Sequence, residues 1–401
     1  MTDGSVLISG AGIAGPALAY WLRHYGFAPT LIERAPAPRT GGYIVDFWGL
    51  GYDLVERMGL LPQVLAAGYR LQEVRIVDEH GRRVGGFDVD VFRRVTRNRF
   101  TSVPRGALSA ILYRAISGST ETMFGNSVTS LSPTQRGVLV GFERGASRRF
   151  DVVIGAGGLH SPVRALSFGP EQRFERFLGY TVCAFEIDGY RPRDENVYVA
   201  YSAPGRQAAR FALRDDRTMF LFIVADPTAA PFDPHDVAHH KAYVRDHFAG
   251  IGWECPAILA AMESCDDIYF DRVSQIRLPR WSTGRIALVG DAAYAPSLLA
   301  GQGSALAIIG AYVLAGELAS TADHPAEAFA RYEARLRPFL TLKQNGAARS
   351  GGAFAPRTRL GIRFRNLLTR AFALPGVGQL ALGRSLADRL TLPEYPLASS
   401  S

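Results

Sequence analysis

Three glycine-rich turns, each accompanied by a single charged residue, are where this sequence can act on a ligand. The first, Gly10-Ala11-Gly12-Ile13-Ala14-Gly15, follows the apolar run Val6-Leu7-Ile8 and precedes a helical pattern of Ala17, Leu18, Trp21 and Leu22. A second apolar run closes on Glu33 and Arg34, with Glu33 falling 18 residues after Gly15. A strand, a Gly-x-Gly-x-x-Gly turn, a helix and a second strand ending on an acid make one βαβ unit that cradles a dinucleotide. Gly10 permits the tight turn, Gly12 lets a pyrophosphate approach the backbone, and Gly15 with Ala19 lets the helix lie close to the strand. Unpaired N–H groups at the helix start attract phosphate. Pro16 is tolerated there because first-turn N–H groups have no intrahelical partner. A carboxylate at Glu33 suits the adenosine ribose and disfavours a 2′-phosphate, so the tightly held ligand is FAD or NAD rather than NADP. The turn alone does not choose between those two.

The second turn, Gly155-Ala156-Gly157-Gly158, ends the buried-strand pattern Asp151 to Ile154, with Ser161 and Arg164 placed to reach back toward phosphates. The third, Gly290-Asp291, ends the apolar run Ile286 to Val289. It puts one carboxylate at a strand's C-terminal end, where open α/β sheets bind ligands. Asp291 is therefore expected to accept a hydrogen bond from a sugar-chain hydroxyl. The loop from Pro296 through Gly301, Gln302 and Gly303 feeds an apolar helix, Ser304 to Leu318, whose N-terminus would stabilise negative charge on a reduced flavin. Arg105, in Pro104-Arg105-Gly106, heads the helical pattern Leu108 to Ile116. The dipole disfavours a cation at that end, which points to a local anion. Gly41-Gly42 followed by Asp46 is a further place for backbone to approach a ligand.

The elements between these turns change texture along the chain. The spacing of Leu54, Val55, Met58, Leu61 and Leu65 predicts one amphipathic helix over 50–65. The run Phe150 to Ile154 predicts a single strand. Residues 178 to 226 contain the alternating segments Tyr180 to Ile187, Asn196 to Tyr201, Ala208 to Leu213 and Met219 to Val224. They predict an antiparallel sheet, the floor of a substrate pocket, with Phe185, Tyr201, Phe211 and Phe222 as walls and Pro296 facing them. Pro234 to Phe248 predicts a helix carrying His235, His239, His240 and His247, read as a solvated face rather than a metal site because no HExxH acid accompanies them. Residues 356 to 401 form an arginine- and leucine-rich tail with helical spacing, read as a lid or bridge between domains.

Composition narrows the partners. The chain has 401 residues, 47% hydrophobic, enough for a large core and two or three domains. The net charge of +8 rests on scattered arginines, with Lys241 and Lys343 the only lysines, so neither a nucleic-acid nor a membrane partner is expected. Cys183, Cys255 and Cys265 are far apart and odd in number, which predicts no disulfide framework, no metal site and a cytoplasmic location without an export signal. The longest apolar stretch, Leu298 to Leu318, is broken by Gly301-Gln302-Gly303-Ser304 and reads as a buried helix.

In this order, Gly10 to Gly15 with Glu33-Arg34, Pro104-Arg105-Gly106, Gly155 to Gly158 and Gly290-Asp291-Ala292-Ala293 resemble the single-component, FAD-dependent aromatic hydroxylases. That p-hydroxybenzoate hydroxylase-like class includes tetracycline-inactivating and natural-product tailoring monooxygenases. The similarity spans roughly residues 4 to 345. It implies an α/β (α+β overall) chain: a Rossmann-like FAD-binding domain, an inserted, mostly antiparallel β-sheet substrate domain and a C-terminal helical segment. The implied boundaries are 1–70, 101–177 and 280–350 for the FAD-binding domain, 71–100 and 178–279 for the substrate domain, and 351–401 for the tail.

It further implies tightly bound, non-covalent FAD, with NAD(P)H as a transient co-substrate, since the chain has no second Gly-x-Gly-x-x-Gly. Glu33, Arg34 and Arg39 fall on the adenosine side. Asp46 and Arg105 face the ribityl or ring region, Asp291 the ribityl and pyrophosphate, and Gly158 and Gly301 to Gly303 the cofactor's path. The implied reaction, in a monomer or homodimer, is transfer of one atom of O2 to an aromatic or polycyclic small molecule through a C4a-hydroperoxyflavin, without a protein nucleophile. Two positions depart from the family: Gly157 stands where many members have Asp, and Tyr294 where many have His. The rival readings are a same-fold dehydrogenase or reductase and a flavin-bound protein that only sequesters a drug. The Trp-x-Trp-x-Ile-Pro signature of flavin halogenases is absent.

Overall fold

A computed structural model describes residues 4–38, 41, 43–233, 236–321, 324–372, 388 and 390–395. Its first sheet has the order Ser282–Thr283, Ile286–Leu288, Val152–Gly155, Ser5–Ser9, Ala28–Glu33, Glu121–Phe124, parallel throughout except for the first pair. Strands buried on both faces read as unbroken apolar runs, and that is how Val6 to Ile8 and Val152 to Ile154 read. Helices Ala14–His24 and Gly303–Ser320 pack against each other beside this sheet. Among the described residues Gly303–Ser320 is the one helix long and apolar enough to cross a membrane, and most of it is buried inside the protein. The expected strand Phe150 to Ile154 is divided: Arg148–Phe150 belongs to an antiparallel meander with Gly137–Phe142 and Val128–Thr134, and Val152–Gly155 to the parallel sheet. Asp151 makes the joint, its Oδ2 accepting the Ser5 N–H and the Ser5 hydroxyl, both at 2.8 Å.

The second sheet has seven strands in the order Tyr269–Ile276, Glu175–Asp188, Arg217–Val224, Arg206–Ala212, Val197–Ala203, Glu73–Val77, Arg83–Asp88. All pairs are antiparallel except Val197–Ala203 with Glu73–Val77. Helices Val237–Phe248 and Cys255–Met262 cover its outer face. Its inner face looks toward the parallel sheet across a two-stranded ribbon, Ile44–Trp48 with Phe100–Pro104.

The single helix expected over 50–65 is two, Gly49–Arg57 and Leu61–Ala67. Gly59, at φ 71°, supplies the left-handed residue that ends the first, and Pro62 suits the opening turn of the second. His235 lies outside the described residues. His240 is buried against Phe270 with its Nε2 on the Asp233 carbonyl, and His247 Nδ1 meets the Tyr243 carbonyl, so these two belong to the packing of that helix rather than to a solvated face. Helix Pro325–Phe354 runs 30 residues, and the tail contributes helix Arg359–Ala371.

Candidate active site

The three glycine turns interlock with no room for side chains between them. A Cβ on Gly15 would lie 1.9 Å from the Gly10 carbonyl oxygen, and one on Gly10, at φ 119°, 2.5 Å from the Ala156 oxygen. A Cβ on Gly290, at φ 68°, would stand 3.0 Å from that of Ala14. Ile13 and Ala14 are buried at this junction. Toward the second sheet the same turns face open space: a Cβ on Gly12 would meet only Arg105 Nη2, at 3.9 Å, and none on Gly158 or Gly301 would meet anything within 4 Å. The result is a backbone-walled cradle with an arginine over it.

Charged groups ring the cradle. Glu33 Oε2 accepts the Ala11 N–H at 2.8 Å and Oε1 the Ala35 N–H at 2.9 Å, which orients the carboxylate at the mouth of the first turn. Arg34 beside it is exposed, and Arg39 lies outside the described residues. Ser109 on the helix Arg105–Ser117 donates to the Gly12 carbonyl at 3.0 Å and so fixes that helix, with Arg105 at its start, against the turn. Burial acts to lower the Arg105 pKa, but Tyr43, Tyr269 and Asp291 outweigh it and the net shift is upward. Burial raises the Asp291 pKa and Arg105 opposes it. Among the described residues neither side chain makes a hydrogen bond or ion pair, although each feels the other's charge. Two half-buried groups of opposite charge, coupled but not ion-paired, fit a ligand that supplies both an anion and hydroxyl donors.

Around them stand groups the sequence did not single out. Tyr43 and Tyr269 lie with ring centres 5.5 Å apart, and Tyr269 donates to Asp271 Oδ2 at 3.2 Å. Burial pushes the Tyr43 phenol up to about 12 and holds Tyr269 well above the ordinary value, so both stay protonated at neutral pH. On the ribbon, Asp46 accepts the Ser102 hydroxyl at 2.6 Å, while burial raises its pKa against that bond.

The loop from Pro296 to Gly303 is held by two buried glutamines. Gln275 Nε2 donates to the carbonyls of Pro296 at 2.6 Å and Gln344 at 2.7 Å, and Gln344 Nε2 to those of Ile276 at 2.8 Å and Ala295 at 3.1 Å. Ser297 sits at φ 136°, a strained conformation for a side-chain-bearing residue, with its hydroxyl accepting the Leu299 N–H at 3.2 Å. Gln302 then begins helix Gly303–Ser320 without a side-chain cap, and a Cβ on Gly303 would be 3.7 Å from Asp291 Oδ1. The uncapped N–H groups of that helix therefore open beside Asp291.

Several expected site residues are elsewhere. Phe185, Tyr201 and Phe222 lie on the outer face of the seven-stranded sheet, packed with Phe220, Phe248 and the covering helices, and are core rather than pocket wall. Phe211 alone of the four is on the inner side, edge-on to Tyr69. The register puts Tyr198, Gln207, Leu221 and Ile223 on that same inner face, where Leu298 and Leu299 of the Pro296 loop pack on it. Ser161 and Arg164 do not reach toward phosphates. Ser161 caps its own helix, and buried Arg164 spans to the Ala292 carbonyl at 3.3 Å, the Leu159 carbonyl and Glu171, tying the second turn to the third. Tyr294 points into the core, its hydroxyl 3.3 Å from that of Tyr332, and Gly310 makes room for it, since a Cβ there would stand 1.8 Å from the Tyr294 oxygen.

This arrangement defines a flavin nucleotide-binding fold faced by a second, seven-stranded sheet. The chain belongs to the FAD binding domain family of flavin-dependent monooxygenases, the family's model matching residues 3–342. It is 37% identical over 347 residues to a flavin-dependent monooxygenase of an unidentified prokaryote, covering 84% of this chain and 87% of that one. Among solved structures, the tetracycline destructase Tet(51) superposes with a TM-score of 0.84 at 30% identity, covering 98% of this chain and all of its own. Tet(55) does so with 0.83 at 33% identity and the same coverage.

Proposed function

We propose that the enzyme oxygenates an aromatic or polycyclic small molecule, a natural product or antibiotic, held between the glycine cradle and the inner face of the seven-stranded sheet. The observation that carries this is the pair Arg105 and Asp291, brought to the convergence of the three turns with neither a hydrogen bond nor an ion pair to either side chain among the described residues. Gly10, Gly12 and Gly15 would take the FAD pyrophosphate, Glu33 and Arg34 the adenosine, Asp291 the ribityl chain, Arg105 and Asp46 the ring side, and Gly301 to Gly303 the isoalloxazine edge. When bound, FAD would supply redox chemistry in which NAD(P)H is the reductant and O2 gives one atom to an electron-rich carbon and the other to water.

The chain's own part is positioning and exclusion of water. Leu221 and Leu298, half-buried over a core of Ile223 and Leu299, would form an apolar wall, and Tyr198, whose hydroxyl accepts from the buried Gln207 at 3.4 Å, would be the polar group that orients a substrate on it. Tyr43 and Tyr269, held protonated by burial, can donate hydrogen bonds but not act as bases at neutral pH. The domain division drawn from the sequence is kept here as part of this reading, with the seven-stranded sheet as the substrate side.

Incubation of the FAD-loaded enzyme with NADPH or NADH, 18O2 and a panel of phenols, polycyclic polyketides and tetracycline tests it. The expected result is a product carrying one 18O atom, with one NAD(P)H and one O2 consumed per product. Hydrogen peroxide as the sole outcome with every compound would contradict oxygen transfer.

A further inference from the structure

We propose that helix Arg359–Ala371 is a docking face for an anionic lipid surface. The helix turns its polar side inward: Arg365 Nη2 donates to the Ser202 hydroxyl at 3.1 Å, and Thr369 Oγ1 accepts the Gly86 N–H at 3.0 Å. Its apolar side faces solvent. Leu360 is 75% exposed, Phe364 64%, Leu367 64% and Leu368 46%, and these are half of the large apolar side chains that the described residues leave exposed. Their spacing of four, three and one residues puts them on a single stripe. An exposed apolar stripe of this kind marks a contact surface.

Charge selects the occupant. Arg359, Arg363 and Arg370 form a row along one flank of the stripe, Arg357 precedes it, and the helix contains no acidic residue. None of the four arginines has an ion-pair partner among the described residues. A second copy of the chain would add its own arginine row to the interface and, from this helix, no acid to pair with either row. A nucleic acid would use the arginines but leave the stripe in water. An anionic bilayer surface accepts both, taking Leu and Phe at the acyl boundary and guanidinium groups among the headgroups. The proposal departs from the expectation of no membrane partner, because here the cations are concentrated beside apolar side chains. Through Arg365 and Ser202 the same helix touches the substrate-facing sheet, so docking and the proposed pocket share one element.

The full-length, FAD-loaded protein should be sedimented with vesicles of phosphatidylcholine alone and of phosphatidylcholine with phosphatidylglycerol, at low and high salt. Binding is expected on the anionic vesicles and at least tenfold weaker on the neutral ones, falling with salt. Each Arg→Gln change at 359, 363 or 370 should weaken it about fivefold. Phe364→Ser with Leu367→Ser should weaken it roughly tenfold or more, with flavin content unchanged. In a Phe364→Trp variant, the emission of the introduced indole should shift to the blue only when anionic vesicles are added. The proposal is overturned by absence of binding to anionic vesicles or by binding indifferent to these substitutions. It is equally overturned by a lipid-free dimer that Phe364→Ser dissociates, or by emission of the Phe364→Trp variant already blue-shifted without lipid.

Discussion

His160, on the short turn that follows the second glycine motif, places its Nε2 3.7 Å from Asp271 of the seven-stranded sheet, while its Nδ1 lies 3.0 Å from Glu171. Asp271 in turn accepts from Tyr269 over the cradle, so one imidazole links the turn of the parallel sheet to the face opposite it. Asp271 first and Glu171 second push the His160 pKa up to about 10, against the opposing effect of burial.

That shift has a direction in pH. A folded-state pKa above the unfolded value of about 6.5 gives stability that is fully present below pH 6.5 and is lost as pH rises through about 10. Half the imidazole meets solvent, so screening holds the contribution to about 1 kcal/mol. His160→Gln should remove that part of the pH dependence, which denaturant melts at intervals from pH 6 to 10 would read. An unchanged slope in the variant would assign the dependence to other groups.

Gly15→Ala should cost about 3 kcal/mol or more, because the added methyl has no path away from the Gly10 carbonyl 1.9 Å off. Thermal melts of the apoprotein measure this independently of flavin. A melting temperature equal to that of the parent would mean the turn and helix can separate freely.

Tyr294→Phe should cost about 1 kcal/mol, the net value of one buried hydrogen bond, and leave flavin reduction and oxygen consumption unchanged. Its hydroxyl answers to Tyr332, which keeps a second acceptor in the Leu288 carbonyl at 3.1 Å. A shifted pH profile of flavin reduction in this variant would show that Tyr294 serves the cofactor after all.

What the chain disclosed in its sequence were the local devices. Glycine turns, the acids at Glu33 and Asp291 and Arg105 at a helix start are set by backbone conformation within a few residues, and these emerge together in three dimensions. The side of a sheet is a different matter. Phe185, Phe211 and Phe222 sit in strands buried on both faces, where alternation tells which residues share a side but not which side looks toward the glycine turns. Gln275 and Gln344 find each other across 69 residues, and neither has a local signature. Arg164 reads as a phosphate ligand because its glycine neighbours are ligand-like, yet the structure uses it to join two turns. The long helix Pro325–Phe354 passes through Pro338 and three glycines, residues that read as punctuation, and one of them, Gly351, is where Tyr180 closes against the helix, since a Cβ there would stand 2.8 Å from its ring.

The central claim is that Arg105 and Asp291 face a bound FAD rather than one another. Fluorescence titration of the apoprotein with FAD tests it most directly, using the parent, Arg105→Gln, Asp291→Ala and, from the inner sheet face, Tyr198→Phe. The account predicts that the first two substitutions weaken FAD binding at least tenfold while Tyr198→Phe binds as the parent does. Parent-like FAD affinity in both Arg105→Gln and Asp291→Ala would contradict it.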